Sequence, residues 1–180
     1  AVRAEVQAHG LDDLRALPRL QSGVSEALRL CSQSLITRGV RRDLRLTLDG
    51  GQEIALRAGD WVALPVGVLH RDPEIYDDPE RFRFDRFVSD GGARSFSKRG
   101  RKVPLPLLPY GGGVSMCPGR STANNEIMQF VALALTTLDI ELGASRPPPL
   151  DLRRGGLGIL SPRTQVPCRV RRAAPGRSAA

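Results

Sequence analysis

A chain of 180 residues with 41% apolar side chains and a net charge of +8 is long enough to bury one core of ordinary globular composition. Its longest apolar run, Phe130 to Leu135, is far too short to span a bilayer. Its three cysteines (Cys31, Cys117, Cys168) form no CxxC pair, which points to a reducing compartment and no disulfide framework. The basic excess comes from 25 arginines and two lysines scattered without interleaved aromatics, so a nucleic-acid partner is not indicated.

Residues 1–10 read as the tail of an amphipathic helix that opens in mid-pattern, without a starting methionine, as a fragment would. Gly10 ends it and Pro18 marks a boundary. In LQSGVSEALRLCSQS, Leu20, Val24, Leu28 and Cys31 recur at helical spacing. Glu26 and Arg29, three apart, share a face of that helix and can pair. Leu44, Leu46 and Leu48 alternate with polar residues, Asp49-Gly50-Gly51 is a turn, and Ile54 and Leu56 alternate on the return; this predicts a β-hairpin. Trp61 to Leu64 is a further strand, stopped by Pro65. From His70 to about Val103 the chain is polar and without period, and an irregular stretch of that length in a compact domain is usually functional. Beyond Cys117 a helix runs to roughly Leu138, with Ile127, Phe130, Val131, Ala134 and Leu135 on a wide apolar face. Pro147-Pro148-Pro149 is a break, LGILSPRTQVPCRVRR reads as a strand, a turn and a strand, and residues 173–180 as a disordered tail.

Cys117 has the most distinctive setting. Gly111, Gly112 and Gly113 precede it, Pro118 and Gly119 follow, and a helix then begins. Glycines let backbone N–H groups approach a sulfur, and a helix N-terminus adds positive partial charge. Both favour a thiolate, the metal-binding form. A metal-bound thiolate and a buried structural cysteine are the two readings this pattern allows. His9 and His70 lie far from it in sequence and do not complete a four-ligand zinc site.

Three separated signals occur in one order: ExxR at Glu26 and Arg29, FRFDRF with Arg86, and the glycine-framed Cys117. Together they resemble the C-terminal part of the haem-thiolate cytochrome P450 family, over residues 1–172. The family loop F-x-x-G-x-R-x-C-x-G is matched by Tyr110 at the phenylalanine, by Gly113 and Gly119, and by Cys117. Ala123 and Glu126 match the helix after it. Phe82, Arg86 and Phe87 match the family's F-x-P-x-R-F, with Phe84 in place of the proline. The resemblance implies a mainly α fold with small β-sheets (α+β): ExxR helix, β-hairpin, irregular meander, cysteine-ligand loop, long helix, C-terminal β-hairpin. It implies that Cys117 is the catalytic axial ligand to the iron of haem b, with Tyr110, Gly111, Gly113, Ser115, Pro118, Gly119 and Ala123 about the cofactor. It also implies that Glu26, Arg29 and Arg86 form a buried cluster that holds the core and the loop.

Ser115 departs from the family, which carries an arginine there against a haem propionate. Arg38 is the candidate substitute, and His70, read as an exposed loop residue, is another. A small polar residue at that place, followed by C-x-G-R, resembles the branch containing prostacyclin synthase, sterol 12α-hydroxylase and the sterol 7α-hydroxylases. The implied function is a monooxygenase acting on a sterol or related lipid with electrons from a reductase. The alternatives are a prostacyclin-synthase-like isomerase of oxygenated fatty acids, which needs no external electrons, and a truncated, inactive gene product. The resemblance further implies that Ser34 to Thr37 and Gly158 to Leu160 line the distal pocket. Lys98, Arg99, Arg101 and Lys102 would lie on the cysteine side, where they could attract an acidic electron donor. Membrane association is expected only through a segment N-terminal to this chain, at the endoplasmic reticulum if the protein follows animal relatives.

Overall fold

The computed structural model describes residues 1–90, 92–144, 148–155 and 158–174. They form helices α1 (Val2–His9), α2 (Pro18–Cys31), α3 (Val66–His70) and α4 (Arg120–Thr137). The strands are β1 (Leu35–Gly39), β2 (Leu44–Thr47), β3 (Glu53–Leu56), β4 (Trp61–Pro65), β5 (Val88–Ser89), β6 (Gly92–Ala93), β7 (Ser97–Lys98), β8 (Arg101–Lys102), β9 (Leu138–Leu142) and β10 (Cys168–Arg172). They pair antiparallel as β1–β4, β2–β3, β5–β6, β7–β8 and β9–β10.

Helix α2 positions the rest. Pro18 stands at its first turn, where a missing N–H costs nothing. Leu17 at the N-cap has no side-chain acceptor to offer. Glu5 of α1 supplies one: its carboxylate accepts from the N–H groups of Arg19 (3.0 Å) and Leu20 (2.9 Å). Two orphan donors are thereby satisfied and a negative charge sits at the positive end of the helix. Helix α2 then buries two faces. Leu20, Val24 and Leu28 pack with Val6 of α1 and with Met128 and Ala132 of α4. Ser22, Glu26 and Arg29, on the other side, are also buried. Cys31, at the end of the apolar face, is only half-buried.

The β2–β3 hairpin forms where the alternation places it, with Leu44 opposite Leu56 and Leu46 opposite Ile54. Strand β1, which the sequence pattern does not announce, pairs with β4 from Leu35↔Pro65 to Gly39↔Trp61 and so encloses the hairpin. The polar stretch after His70 is not without structure: it carries the short hairpins β5–β6 and β7–β8.

The C-terminal pairing also differs from the sequence expectation. Strand β10 takes as its partner LDIEL (β9), directly after α4, rather than LGIL. The reason is complementary alternation. Val170 faces Ile140 and Cys168 faces Leu142, while Arg169 and Arg171 stand opposite Glu141 and Asp139, and opposite charges across a strand pair are favourable. The LGIL run instead docks on the end of α2. Ile159 forms an isolated bridge with Ser32, and the Leu160 N–H donates to the Cys31 carbonyl at 2.8 Å. Residues 175–180 of the expected tail, and Pro147 of the proline break, lie outside the described residues. Among the described residues no helix is long and apolar enough to cross a membrane.

Candidate functional site

The site is built from α2 outward. Glu26 and Arg29 have no exposed surface and Arg86 retains 2%. Arg29 grips Glu26 with two nitrogens, Nε on Oε2 at 2.7 Å and Nη2 on Oε1 at 3.0 Å, and sends Nη1 to the His70 carbonyl. Arg86 approaches the same carboxylate from the meander, with Nε on Oε1 at 2.8 Å. Its remaining nitrogens donate to the carbonyls of Asp77, Asp78 and Arg81. The Arg83 N–H adds a further bond to Glu26 at 3.0 Å. A buried ion cluster is tolerable only when every charge is met this fully. Burial is the largest influence on the Glu26 carboxyl and pushes its pKa up, but the hydrogen bonds from Arg29 and Arg86 outweigh it and leave the group below its ordinary value. Tyr76 seals the cluster, with the Arg29 guanidinium 4.9 Å from its ring centre and that of Arg86 at 5.9 Å.

His70 is not the exposed loop residue that the sequence suggested. It ends α3 fully buried, so it cannot reach a cofactor carboxylate. Its Nε2 lies 2.9 Å from the Leu108 N–H and its Nδ1 lies 3.1 Å from the Arg29 carbonyl. Burial, the main cause, depresses its pKa to about 4.

Leu108 leads into the cysteine loop. Its carbonyl accepts from the Gly111 N–H at 3.2 Å, and the Tyr110 carbonyl accepts from the Cys117 N–H at 2.9 Å. Gly111 and Gly113 have φ of 77° and 64°, left-handed values that a side chain disfavours. Gly119 is the N-cap of α4, and the Arg120 side chain donates to the Cys117 carbonyl at 3.2 Å. The sulfur therefore lies two residues from a helix N-terminus.

Cys117 is exposed in this chain. It opens on a cleft of about 530 Å³ walled by Ser34 to Arg38 on one side and by the Pro109–Cys117 loop on the other. Arg38 spans this cleft, donating to the Thr37 carbonyl at 2.7 Å and to the Gly112 carbonyl at 3.0 Å. Tyr110 and Ser115 share the wall. The Tyr110 hydroxyl donates to Asn124 Oδ1 at 2.9 Å; burial, and then the charge of Cys117, push the phenol pKa up.

Other sequence candidates lie elsewhere. Gly113, Pro118, Gly119 and Ala123 support the loop and the start of α4 without lining the cleft. Glu126 is exposed. Ile159 lines a separate apolar groove of about 440 Å³ with Phe82 and Phe84. Lys98 and Arg99 are engaged by Asp72 and Glu74, so that run offers less free positive charge than its sequence suggests. Missed by sequence were the structural role of His70, the Glu5 cap and the Tyr110–Asn124 bond; each joins residues that no helical or strand period relates.

The donor set defines what could be held here. Among the described residues no group of three His, Cys, Asp or Glu side chains could cage a bare ion. A single cysteine sulfur at the cleft suits a metal whose other ligands come from a macrocycle, to which the protein would add one ligand. The cationic Arg38 at the cleft suits the carboxylates of such a group.

A family model described as cytochrome P450 matches residues 1–168. The chain is 42% identical over 161 residues to cytochrome P450 7B1 of Mus musculus, covering 89% of this chain and 32% of that protein. It is 40% identical over 166 residues to 7-alpha-hydroxycholest-4-en-3-one 12-alpha-hydroxylase of Oryctolagus cuniculus (89% and 33%). It is 42% identical over 163 residues to prostacyclin synthase of Bos taurus (88% and 33%). Of the solved structures it resembles, the retinoic acid-bound cyanobacterial CYP120A1 has a TM-score of 0.75 at 23% identity, over 96% of this chain and 38% of that one. A zebrafish cytochrome P450 with abiraterone has a TM-score of 0.70 at 26% identity, over 96% and 40%. The chain belongs to the cytochrome P450 family, in the branch of the sterol 7α-hydroxylases and prostacyclin synthase. Its helices with small antiparallel sheets are those of that fold. It spans about a third of the length of these curated relatives. Membership implies a haem iron cofactor.

Proposed function

We propose that this chain is the haem-binding portion of a monooxygenase that hydroxylates a sterol or related lipid, with Cys117 as the axial thiolate ligand of haem b. The observation that carries the reading is the exposed Cys117 at a cleft whose far wall is Ser34 to Arg38. When bound, haem iron would supply oxygen activation, and the Cys117 sulfur would hold it and donate electron density to it. The chain's own residues bind and orient. Gly111 and Gly113 turn the loop that presents the sulfur. Arg38, at the cleft, would hold a cofactor carboxylate in the place of the arginine that Ser115 replaces, and Ser115 would add a hydroxyl donor. Leu35, Ile36 and Thr37 offer a mostly apolar wall to a lipid. A reductase is the electron donor of this reading.

The second reading is an isomerase of oxygenated fatty acids, supported by equal identity, 42%, to prostacyclin synthase of Bos taurus and to cytochrome P450 7B1 of Mus musculus. The absorption spectrum of the reduced, CO-bound protein tests the ligand: a thiolate-type Soret band is expected and is lost in Cys117→Ala. A band unchanged by that substitution would sink the assignment. Turnover requiring NADPH and a reductase supports the hydroxylase. Turnover of a peroxide-type substrate without reductant supports the isomerase.

A further inference from the structure

We propose that His70 is a positioning residue that fixes the start of the cysteine loop against the Glu26–Arg29–Arg86 cluster. A main-chain N–H can only donate, so the Leu108 N–H, 2.9 Å away, requires a lone pair on His70 Nε2. The ring proton therefore resides on Nδ1, which donates to the Arg29 carbonyl at 3.1 Å. Arg29 answers with its own side chain, Nη1 donating to the His70 carbonyl. Ring and backbone of His70 are thus both locked to the residue that holds Glu26.

From the ring the path to the sulfur is short. The Leu108 N–H is fixed by His70, its carbonyl takes the Gly111 N–H, and the Tyr110 carbonyl takes the Cys117 N–H. Leu108 is itself buried, and a side chain at Gly112 would come within 3.4 Å of it. The loop can slide only if the buried Leu108 N–H loses its acceptor, a costly change in a dry site. The buried cluster and the exposed cysteine are therefore connected through one imidazole, and the inference concerns where the loop stands, so it holds whether or not Cys117 binds iron.

Two substitutions separate the halves of the link. His70→Gln places an acceptor near the Nε2 position and gives up the Nδ1 donor. His70→Asn does the reverse. Hydrogen exchange of the protein is followed at the amides of residues 108–117 and, as an internal control of folding, at those of α2. The expected result is exchange at Leu108 faster by about tenfold or more in His70→Asn, with α2 unchanged, and near-normal protection in His70→Gln. Normal loop protection in His70→Asn overturns the proposal. So does equal loss in both variants, or loss of α2 protection along with the loop, since either makes His70 a general packing residue. The Cys117→Ala spectrum reports separately on the iron reading: it can fail while the Leu108 amide still answers for His70.

Discussion

The two sides of the cysteine loop are opposites. Behind it lie three charged side chains and a histidine with almost no exposed surface, and each charge is met by hydrogen bonds. In front of it a single thiol stands exposed at an open cleft, held through main-chain bonds and two left-handed glycines. The charged residues lie in the interior, and the group proposed to bind metal rests on a loop joined to them through His70. Removing the charge of Glu26 should break the first side most strongly. Glu26→Gln leaves Arg29 and Arg86 without their shared anion, and breaking a buried pair in this way costs roughly 3–5 kcal/mol. Against a total stability of about 5–15 kcal/mol, the denaturant midpoint should fall steeply. Cys117→Ser, at an exposed site, should shift that midpoint by less than about 0.5 kcal/mol while abolishing any thiolate-type spectrum.

The second largest effect is a pH dependence that separates His70 from Glu26. His70 falls from an ordinary 6.5 to about 4 in the folded state. Between these values the unfolded chain takes up a proton that the folded chain refuses, so stability is full above about pH 6.5 and drains away toward pH 4. The loss amounts to about 3 kcal/mol. Glu26 is depressed below the carboxylate value of 4.5, so its contribution is present above that value and is lost only as pH falls further, through its folded pKa. Urea unfolding at pH 7 and pH 4.5 should show a sloping midpoint, and His70→Gln should flatten the slope in this window. A slope untouched by His70→Gln would mean that the histidine is not held neutral.

The sequence makes the scaffold's parts legible but not its connections. Glu26, Arg29 and Arg86 are named by motif and order, because each sits in a short pattern with a fixed neighbour. The helices α2 and α4 and the hairpin β2–β3 follow from periodicity. The His70 link joins residues 38 apart, and nothing local distinguishes a buried histidine from an exposed one. Strand β1 escaped notice because its partner lies beyond an intervening hairpin. The sequence pattern pairs CRVRR with the nearby LGIL, whereas the strand of complementary alternation and charge is LDIEL, about 25 residues before it.

A smaller effect tests the apolar face of α2 against its polar face. Glu5→Ala removes the acceptor for two N–H groups at the start of α2, where the residue at the N-cap cannot substitute. A lost cap costs about 1 kcal/mol. Because Glu5 reaches across from α1, the change should also loosen α1, seen as faster amide exchange at Val6 and its neighbours. The buried cluster, on the opposite face, should be unmoved. Equal acceleration at Arg86 would show that the two faces of α2 are not independent.

A further small effect falls on the exposed side. Tyr110 is half-buried against the helical core and its hydroxyl holds Asn124 of α4. Tyr110→Phe keeps the ring and removes only this bond. Asn124 is itself half-buried and can turn to water, so the cost should be no more than about 1 kcal/mol. The consequence for the loop is larger than the energy suggests, because Tyr110 also supplies the carbonyl that receives the Cys117 N–H. A ring no longer tied to α4 lets that carbonyl shift, and the sulfur with it. The expected outcome is a nearly unchanged denaturant midpoint with faster exchange of the Cys117 amide. If instead the midpoint falls by several kcal/mol, the loop side carries as much of the fold as the buried cluster, and the contrast between the two sides fails.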